Sequence, residues 1–438
     1  MTRAYRGALL TAAIFLAIAI PVASIRPLWL DELLQLVETR QPSTARMIMD
    51  MRQTPGSAPL GFLVQHEALK IAGYSVVLAR LPAAFFGAAA VFLVALLGTE
   101  FDLRRGWLAG AIFGLFPLTL RYAAESRVYS QALFLSVLAT YLYLHLAERP
   151  RPGIAALYWL ALTAAVYTQP YALCAGIAPL LCSVIRRERR TALLCAAALL
   201  LALIAFLPWL AWTQPAWAAN YVRSGFQFSF TLKTPLMLFR EFAGAGYWGS
   251  GLLLLACAAA LRGGRLGDRD RLLLVLSIAT VPLAVLCADA WFGYFIAARQ
   301  IIWILPAVAV LAAAAIESYP RAGPALAVLL AIVCIRQSTV FFRSPSENWQ
   351  MAANALADRV QKGDCLQVAP PEQATLYRFF HPELGAANCN TRSIVLAITP
   401  AATVAQRRTA TAKLLSDGYR QECQKTVGQS DIVLFRQP

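Results

Sequence analysis

Three short stretches of this chain carry side chains able to move a proton or hold a phosphate. The first is Trp29-Leu30-Asp31-Glu32, which follows an apolar run. Neighbouring carboxylates repel, and a poorly solvated membrane border penalises their charge, so each becomes a better proton acceptor. The same pair also reads as ordinary acids opening a surface helix, with Asp31 as its cap. The second stretch runs Arg121-Tyr122-Ala123-Ala124-Glu125-Ser126-Arg127-Val128-Tyr129, between two apolar blocks. Arg121 and Arg127 offer the planar donor fork that matches phosphate oxygens. Glu125 can orient an arginine, bind a metal or accept a proton, and the cluster can equally neutralise itself at a helix junction. The third, Trp291 to Gln300, holds Tyr294 and Arg299. Its aromatics fit an interfacial belt, while Arg299 is placed to meet a phosphate.

Apolar elements must position these groups. Of 438 residues, 59% are hydrophobic and 14% charged, against about 25% charged in a typical soluble domain. The apolar residues fall in blocks near 8–25, 76–97, 107–120, 128–147, 154–168, 171–185, 191–212, 246–261, 272–290, 300–317 and 324–341. A bilayer crossing needs about 20 apolar residues, and lipid leaves backbone amides no partner but the helix itself. The expected fold is therefore α-helical and polytopic, with eleven spans. The block at 8–25 is long for a signal peptide and its Pro21-Ala23-Ser24 end is a poor cleavage site, so it is read as a retained first span.

The net charge of +16 raises nucleic-acid binding, which the placement of the basic residues excludes: they occupy short loops, where they set topology. With the N-terminus in the cytoplasm, one side receives Arg3, Arg6, Arg104, Arg105, Arg149, Arg151, Arg186, Arg187, Arg189, Arg190, Arg262, Arg265, Arg269, Arg271 and Arg321. The other receives only Arg121, Arg127, Arg223, Lys233, Arg240 and Arg299 in its short loops. The bias predicts a cytoplasmic N-terminus and, after an odd number of spans, an outer C-terminal segment.

Two non-membrane pieces then face outward. In the loop 26–75, Leu33, Leu34, Val37, Met47, Ile48 and Met51 follow helical spacing, interrupted at Pro42-Ser43, and a further helix is expected over Leu60–Ile71. The membrane part is thus 1–341 including this loop, and 342–438 forms a small domain with eleven Lys/Arg and eight Asp/Glu over 343–438. Its pattern predicts helices at Trp349–Val360, Glu372–Phe380 and Val404–Cys423, and strands at Asp364–Val368, Ser393–Ile398 and Asp431–Arg436, an α/β arrangement. Cys365, Cys389 and Cys423 would allow one disulfide with one thiol left over, the pairing open. Cys174, Cys182, Cys195, Cys257, Cys287 and Cys334 lie in apolar blocks and read as small buried side chains. Tyr167 to Tyr171 forms a polar outer turn, and Thr213–Gly246, with Trp217 and Tyr221, is a long segment able to cover a site. Of the histidines only His66 shares the outer loop with the carboxylates. No nucleotide-binding or zinc motif is present, so nothing supports a supply of energy from ATP.

Taken in order, the outer Asp31-Glu32 pair, Pro59-Leu60, Arg80-Leu81-Pro82, Arg104-Arg105, Tyr122…Glu125-Ser126-Arg127…Tyr129, Arg299 and Asn348-Trp349 resemble the bacterial GT-C class of membrane glycosyltransferases. The resemblance is to the family 39-like group, relatives of protein mannosyltransferases and of the aminoarabinose transferase of lipid A. It covers the layout of nearly the whole chain and is sharpest from Trp29 to about Tyr143. It implies a polyprenyl-phosphate-linked sugar donor, an acceptor that is a lipid, a glycan or a protein, inversion at the anomeric carbon, and a bacterial inner-membrane location with the small domain in the periplasm. It implies Asp31 as general base with Glu32 beside it, Arg127, Arg299 and Arg121 on the donor phosphate, and Glu125, Tyr129 and Tyr122 around the substrate. Some relatives bind a divalent metal, for which Glu125 and His66 are possible ligands; no metal is assigned. The group's Gln-Glu-Ala-Arg-x-Tyr pattern stands here as Ala124-Glu125-Ser126-Arg127-Val128-Tyr129, and its Asp/Asn-x-Pro-Pro-Leu as Ser57-Ala58-Pro59-Leu60, where one proline and the polar residue are missing.

A transporter or flippase of a lipid-linked glycan is the competing reading, and a scaffold a third. Transporters tend to show inverted repeats and midplane sites; here no repeat is visible and the candidate residues gather toward one face.

Overall fold

The structure is a computed structural model that describes all residues except 1–2, 55, 225–230, 232, 293–296, 345, 361–363, 386–392 and 438. Tyr294 and Cys389 therefore lie outside the described residues, as does part of the segment 213–246.

Every apolar block holds helix. α1 is Arg3–Val22; α2 (Leu30–Thr39) and α3 (Thr44–Met51) divide at the break expected at Pro42-Ser43, and Ser43 caps α3 by accepting from the Arg46 amide at 3.3 Å. α4 is Pro59–Ala72 and α5 Val76–Glu100. α6 (Trp107–Leu115) stops at Phe116, whose extended ψ of 125° is what a following proline demands, and Pro117 opens α7 (Pro117–Ala123). Next come α8 (Tyr129–Glu148), α9 (Pro152–Thr168), α10 (Ile177–Ile185) and α11 (Arg189–Ser224), then α12 (Lys233–Glu241), α13 (Gly246–Arg262), α14 (Asp268–Phe292), α15 (Leu305–Ser318) and α16 (Gly323–Arg343). Among the described residues six helices are long and apolar enough to cross a membrane: α1, α5, α8, α11, α14 and α16. A seventh counts if the stretch Lys233–Gly244 joins Gly246–Arg262, although the two meet at 79°. The bend is made by positive φ at Ala243 (53°), Gly244 (73°) and Gly246 (68°). The remaining apolar helices, Pro152–Thr168, Pro170–Ile185 and Ile302–Ser318, are shorter.

By compactness the chain forms two units, residues 1–23 with 42–342, and residues 24–41 with 343–438. The segment 26–75 is therefore shared: α2 belongs to the second unit, α3 and α4 to the first. The first unit is a helical bundle whose core joins α1, α5, α6, α8, α9, α14 and α15.

The second unit contains α2, α17 (Trp349–Val360), α18 (Ala374–Arg378), α19 (Val404–Ser416) and a four-stranded sheet of β1 (Cys365–Ala369), β2 (Ser393–Ile398), β3 (Arg420–Val427) and β4 (Ser430–Arg436), in the order β1-β2-β4-β3. β1 and β2 pair parallel; β2–β4 and β3–β4 pair antiparallel. Central β2, Ile394-Val395-Leu396-Ala397-Ile398, is buried along its length, as a continuous apolar run requires. The α/β character is as expected, with one correction. The helix expected over Val404–Cys423 ends at Ser416, and a strand follows. Gly418, at φ 87°, turns the chain, and β3 joins β4 through Gly428-Gln429, both at positive φ, the geometry of a tight hairpin turn. β3 is an edge strand exposed on both faces and rich in charged residues, so it shows no apolar alternation to mark it. Cys365 is disulfide-bonded, and Cys423 is free and exposed.

Candidate active site

The second chemical stretch is assembled by the first unit. α7 carries Arg121 and Tyr122, a bend at 124–127 carries Glu125 and Arg127, and α8 opens at Tyr129. One helical turn separates Arg121 from Glu125, so the Arg121 Nε donates to Glu125 Oε1 at 2.9 Å. The Arg121 guanidinium also lies 4.6 Å from the ring centre of Phe341 on α16 and 5.6 Å from that of Tyr122. Arg127 stands 5.7 Å over Tyr129, and the Tyr122 and Tyr129 rings are 4.6 Å apart. Tyr122, Glu125, Ser126 and Tyr129 are buried; Arg121, Arg127 and Arg299 are half-buried.

Arg299, nearly 180 residues away in sequence, sits in a 3₁₀ turn over Ala298–Gln300, close enough for its charge to act on both Arg121 and Tyr122. The structure thus gathers Arg121, Tyr122, Glu125, Arg127, Tyr129 and Arg299. The three guanidinium groups of the cluster are of the type that holds a phosphate through paired N–H donors.

The cluster is positioned by close backbone approach. A Cβ on Gly61 of α4 would stand 2.4 Å from Val128 Cγ1, and one on Gly87 of α5 would stand 2.8 Å from Ala123 Cβ. Only hydrogen at these two positions lets α4 and α5 close on the segment. The Gln65 side chain adds a latch by donating to the Ala79 carbonyl at 3.0 Å and bonding the Ser126 hydroxyl. Nothing in the sequence singles out Gln65 or Gly61, since a partner sixty residues away leaves no periodic trace. Arg80 carried a signal, a charge in the first turn of a span. It is 2% exposed, and its Nη1 donates to the Ala23 carbonyl at 2.5 Å, fixing the exit of α1.

Asp31 and Glu32 belong to the second unit, in the first turn of α2. Carboxylates at a helix N-terminus complement its dipole. Trp29, the residue before the helix, provides no side-chain cap. Glu347 substitutes for it: its Oε2 accepts from the Leu30 amide at 2.8 Å and from the Trp349 indole at 2.9 Å. Leu33 and Leu36 are buried, and at the other end of α2 Arg40 stacks 4.6 Å from the Phe379 ring centre. Asp31 is half-buried and Glu32 fully buried. Leu34, expected on the apolar face, is instead exposed.

Among the described residues no group of three or more His, Cys, Asp and Glu is placed to hold a metal ion. Glu125 is engaged by Arg121, and His66 is buried in α4. The two possible metal ligands do not make a site, and no step below is routed through a metal.

No protein-family model and no curated protein matches the chain by sequence. Solved structures do match. Crystal structures of ArnT from Cupriavidus metallidurans superpose over 97% of this chain and 97% of theirs. The apo form gives a TM-score of 0.60 at 13% identity, and the form bound to undecaprenyl phosphate gives 0.59 at 14%. The chain has the ArnT fold. The likeness spans both the helical bundle and the C-terminal α/β unit, and it agrees with the GT-C layout that the sequence resembles. At such low identity the ArnT likeness concerns the path of the backbone; the chemistry has to be argued from this chain's own residues.

Proposed function

We propose that this chain is a GT-C glycosyltransferase that takes a sugar from a polyprenyl-phosphate-linked donor and passes it to a lipid, glycan or protein acceptor, with inversion. The observation that carries the reading is the arginine cluster of Arg121, Arg127 and Arg299, set at helix ends in a fold that also occurs bound to undecaprenyl phosphate. A phosphate on a polyprenyl chain needs fixed positive charge at membrane depth, and guanidinium supplies it with matching geometry.

In this reading the acceptor's hydroxyl or amine attacks the anomeric carbon and gives its proton to Asp31, with Glu32 beside it. The bond between that carbon and the phosphate oxygen breaks, and its electrons stay with the polyprenyl phosphate. Arg127, Arg299 and Arg121 stabilise the charge that develops there. Glu125 holds the Arg121 fork in orientation, and Tyr122 and Tyr129 line the substrate side. Residues 1–341 form the membrane catalytic part and 342–438 a periplasmic domain, with the N-terminus in the cytoplasm of a bacterial inner membrane, as the arginine bias supports.

Mass spectrometry of envelope glycans and lipids tests this in three strains: a deletion, the wild type, and Asp31→Asn at matched protein level. The expected result is a sugar-sized mass that vanishes in the deletion, returns with the wild type and stays absent with Asp31→Asn. Full restoration by Asp31→Asn removes Asp31 as base, and an unchanged envelope in the deletion removes the transferase reading.

A further inference from the structure

Two partners of different chemistry hold the Arg121 guanidinium. Along its edge, Nε donates to Glu125 Oε1 at 2.9 Å. Against its face lies the Phe341 ring, with the guanidinium carbon 4.6 Å from the ring centre. Phe341 is half-buried in the last turn of α16, far from Arg121 in sequence. The Tyr122 ring stands farther off, at 5.6 Å. One bend of the backbone packs against both helices near this contact. Gly244 and Gly246, at φ 73° and 68°, form the kink between α12 and α13. A Cβ on Gly244 would stand 2.9 Å from the Leu118 amide nitrogen of α7, within a turn of Arg121. A Cβ on Gly246 would stand 3.0 Å from Gln337 Nε2 of α16, one turn before Phe341. Glycine at both places lets the bend sit close to α7 and α16 together.

An aromatic partner does for an arginine what a second acid cannot. The N–H donors of a guanidinium lie in its plane, and its faces carry none. A ring against one face attracts the cation through its quadrupole and takes up no donor. A carboxylate in the same place would offset the charge and occupy the fork that a phosphate needs. Phe341 therefore restrains the guanidinium while leaving its in-plane chemistry untouched.

We propose that Phe341 is a positioning residue for the donor phosphate: packed against Arg121, it holds the guanidinium in the orientation that meets the polyprenyl phosphate. This rests on the reading that Arg121 binds that phosphate. Phe341 itself touches no substrate, and its whole effect passes through Arg121.

The test measures dissociation constants for undecaprenyl phosphate with the purified full-length protein in nanodiscs. Phe341→Leu keeps an apolar side chain and removes the aromatic face. It should weaken binding about three- to tenfold. Phe341→Met makes the same test should the leucine variant fail to fold. Phe341→Tyr retains the face and should bind within about twofold of wild type. In an Arg121→Ala background, Phe341→Leu should have no further effect, because a double-mutant cycle isolates the coupling between the two side chains. The proposal is overturned if the folded leucine or methionine variant binds as wild type does, or if Phe341→Tyr is as weak as Phe341→Leu. An effect of Phe341→Leu that persists without Arg121 also overturns it, and marks a merely structural role. Wild-type binding by Arg121→Ala overturns it too, and takes Arg121 off the phosphate while leaving Arg127 and Arg299 in place. A wild type that binds no carrier overturns the arginine-cluster reading as well.

Discussion

The two stretches that carry the proposed chemistry are held in opposite ways. Arg121 to Tyr129 is organised mainly by itself and by its own unit: a salt bridge across one helical turn, two tyrosines with rings in tilted contact, and glycines on α4 and α5 that let the helices close in. Asp31-Glu32 sits on a helix tied to distant sequence. The helix that bears the pair is capped by Glu347 and anchored by Phe379, residues more than three hundred positions further on. In the proposed reaction the phosphate-binding groups belong to the bundle and the proton acceptor belongs to the α/β unit.

Four substitutions probe this contrast, in descending size of effect. Asp31→Asn should lower product formation by about 10²–10⁴ while leaving affinity for undecaprenyl phosphate intact; a parallel loss of affinity breaks the division of labour. Arg127→Lys should lower the rate by about 10²–10³ and weaken carrier binding as well, because an ammonium cannot reproduce the two-donor fork; wild-type behaviour of the lysine variant means that charge alone suffices. Glu347→Gln removes a charged cap and should destabilise α2 by about 1 kcal/mol, read as faster amide hydrogen exchange at residues 30–33 with exchange in α7 and α8 unchanged. Equal changes in both places show the two stretches to be one cooperative body.

The smallest effect concerns pH. Burial pushes the Asp431 carboxyl up, but hydrogen bonds from Thr426 (2.6 Å) and Arg407 outweigh it and hold the group below the usual carboxylate range. A carboxyl depressed in the fold stabilises above its unfolded-state value and loses that contribution as pH falls through the folded one. Exchange protection of β3 and β4 should therefore decline on acidification below about pH 4, and Asp431→Asn should flatten the decline. The bundle's arginine segment should stay level over the same range.

How much was legible beforehand follows the same divide. In the bundle, apolar blocks and charges at their borders mark helices and cluster alike, because lipid forces every exception to stand out. Arg121, Glu125 and Arg127 were visible for that reason. What stayed hidden was contact at long range: Gln65 on Ser126 and Glu347 on α2. In the second unit β2 is legible as an apolar run, while the start of β3 falls within the helix expected over Val404–Cys423, because an edge strand exposed on both sides keeps no period.

One feature of the bundle bears on the lipid around it. α9 has 17 residues and α6 only 9 before its break at Phe116. At 1.5 Å per residue α9 is about 25 Å long, less than the hydrocarbon thickness of about 30 Å. Leu157 and Leu160 of α9 and Trp107 and Leu115 of α6 are exposed along these short helices. The resulting hydrophobic mismatch thins the bilayer beside them. A thinner bilayer shortens the distance that a lipid headgroup must travel to reach polar side chains at the ends of such helices.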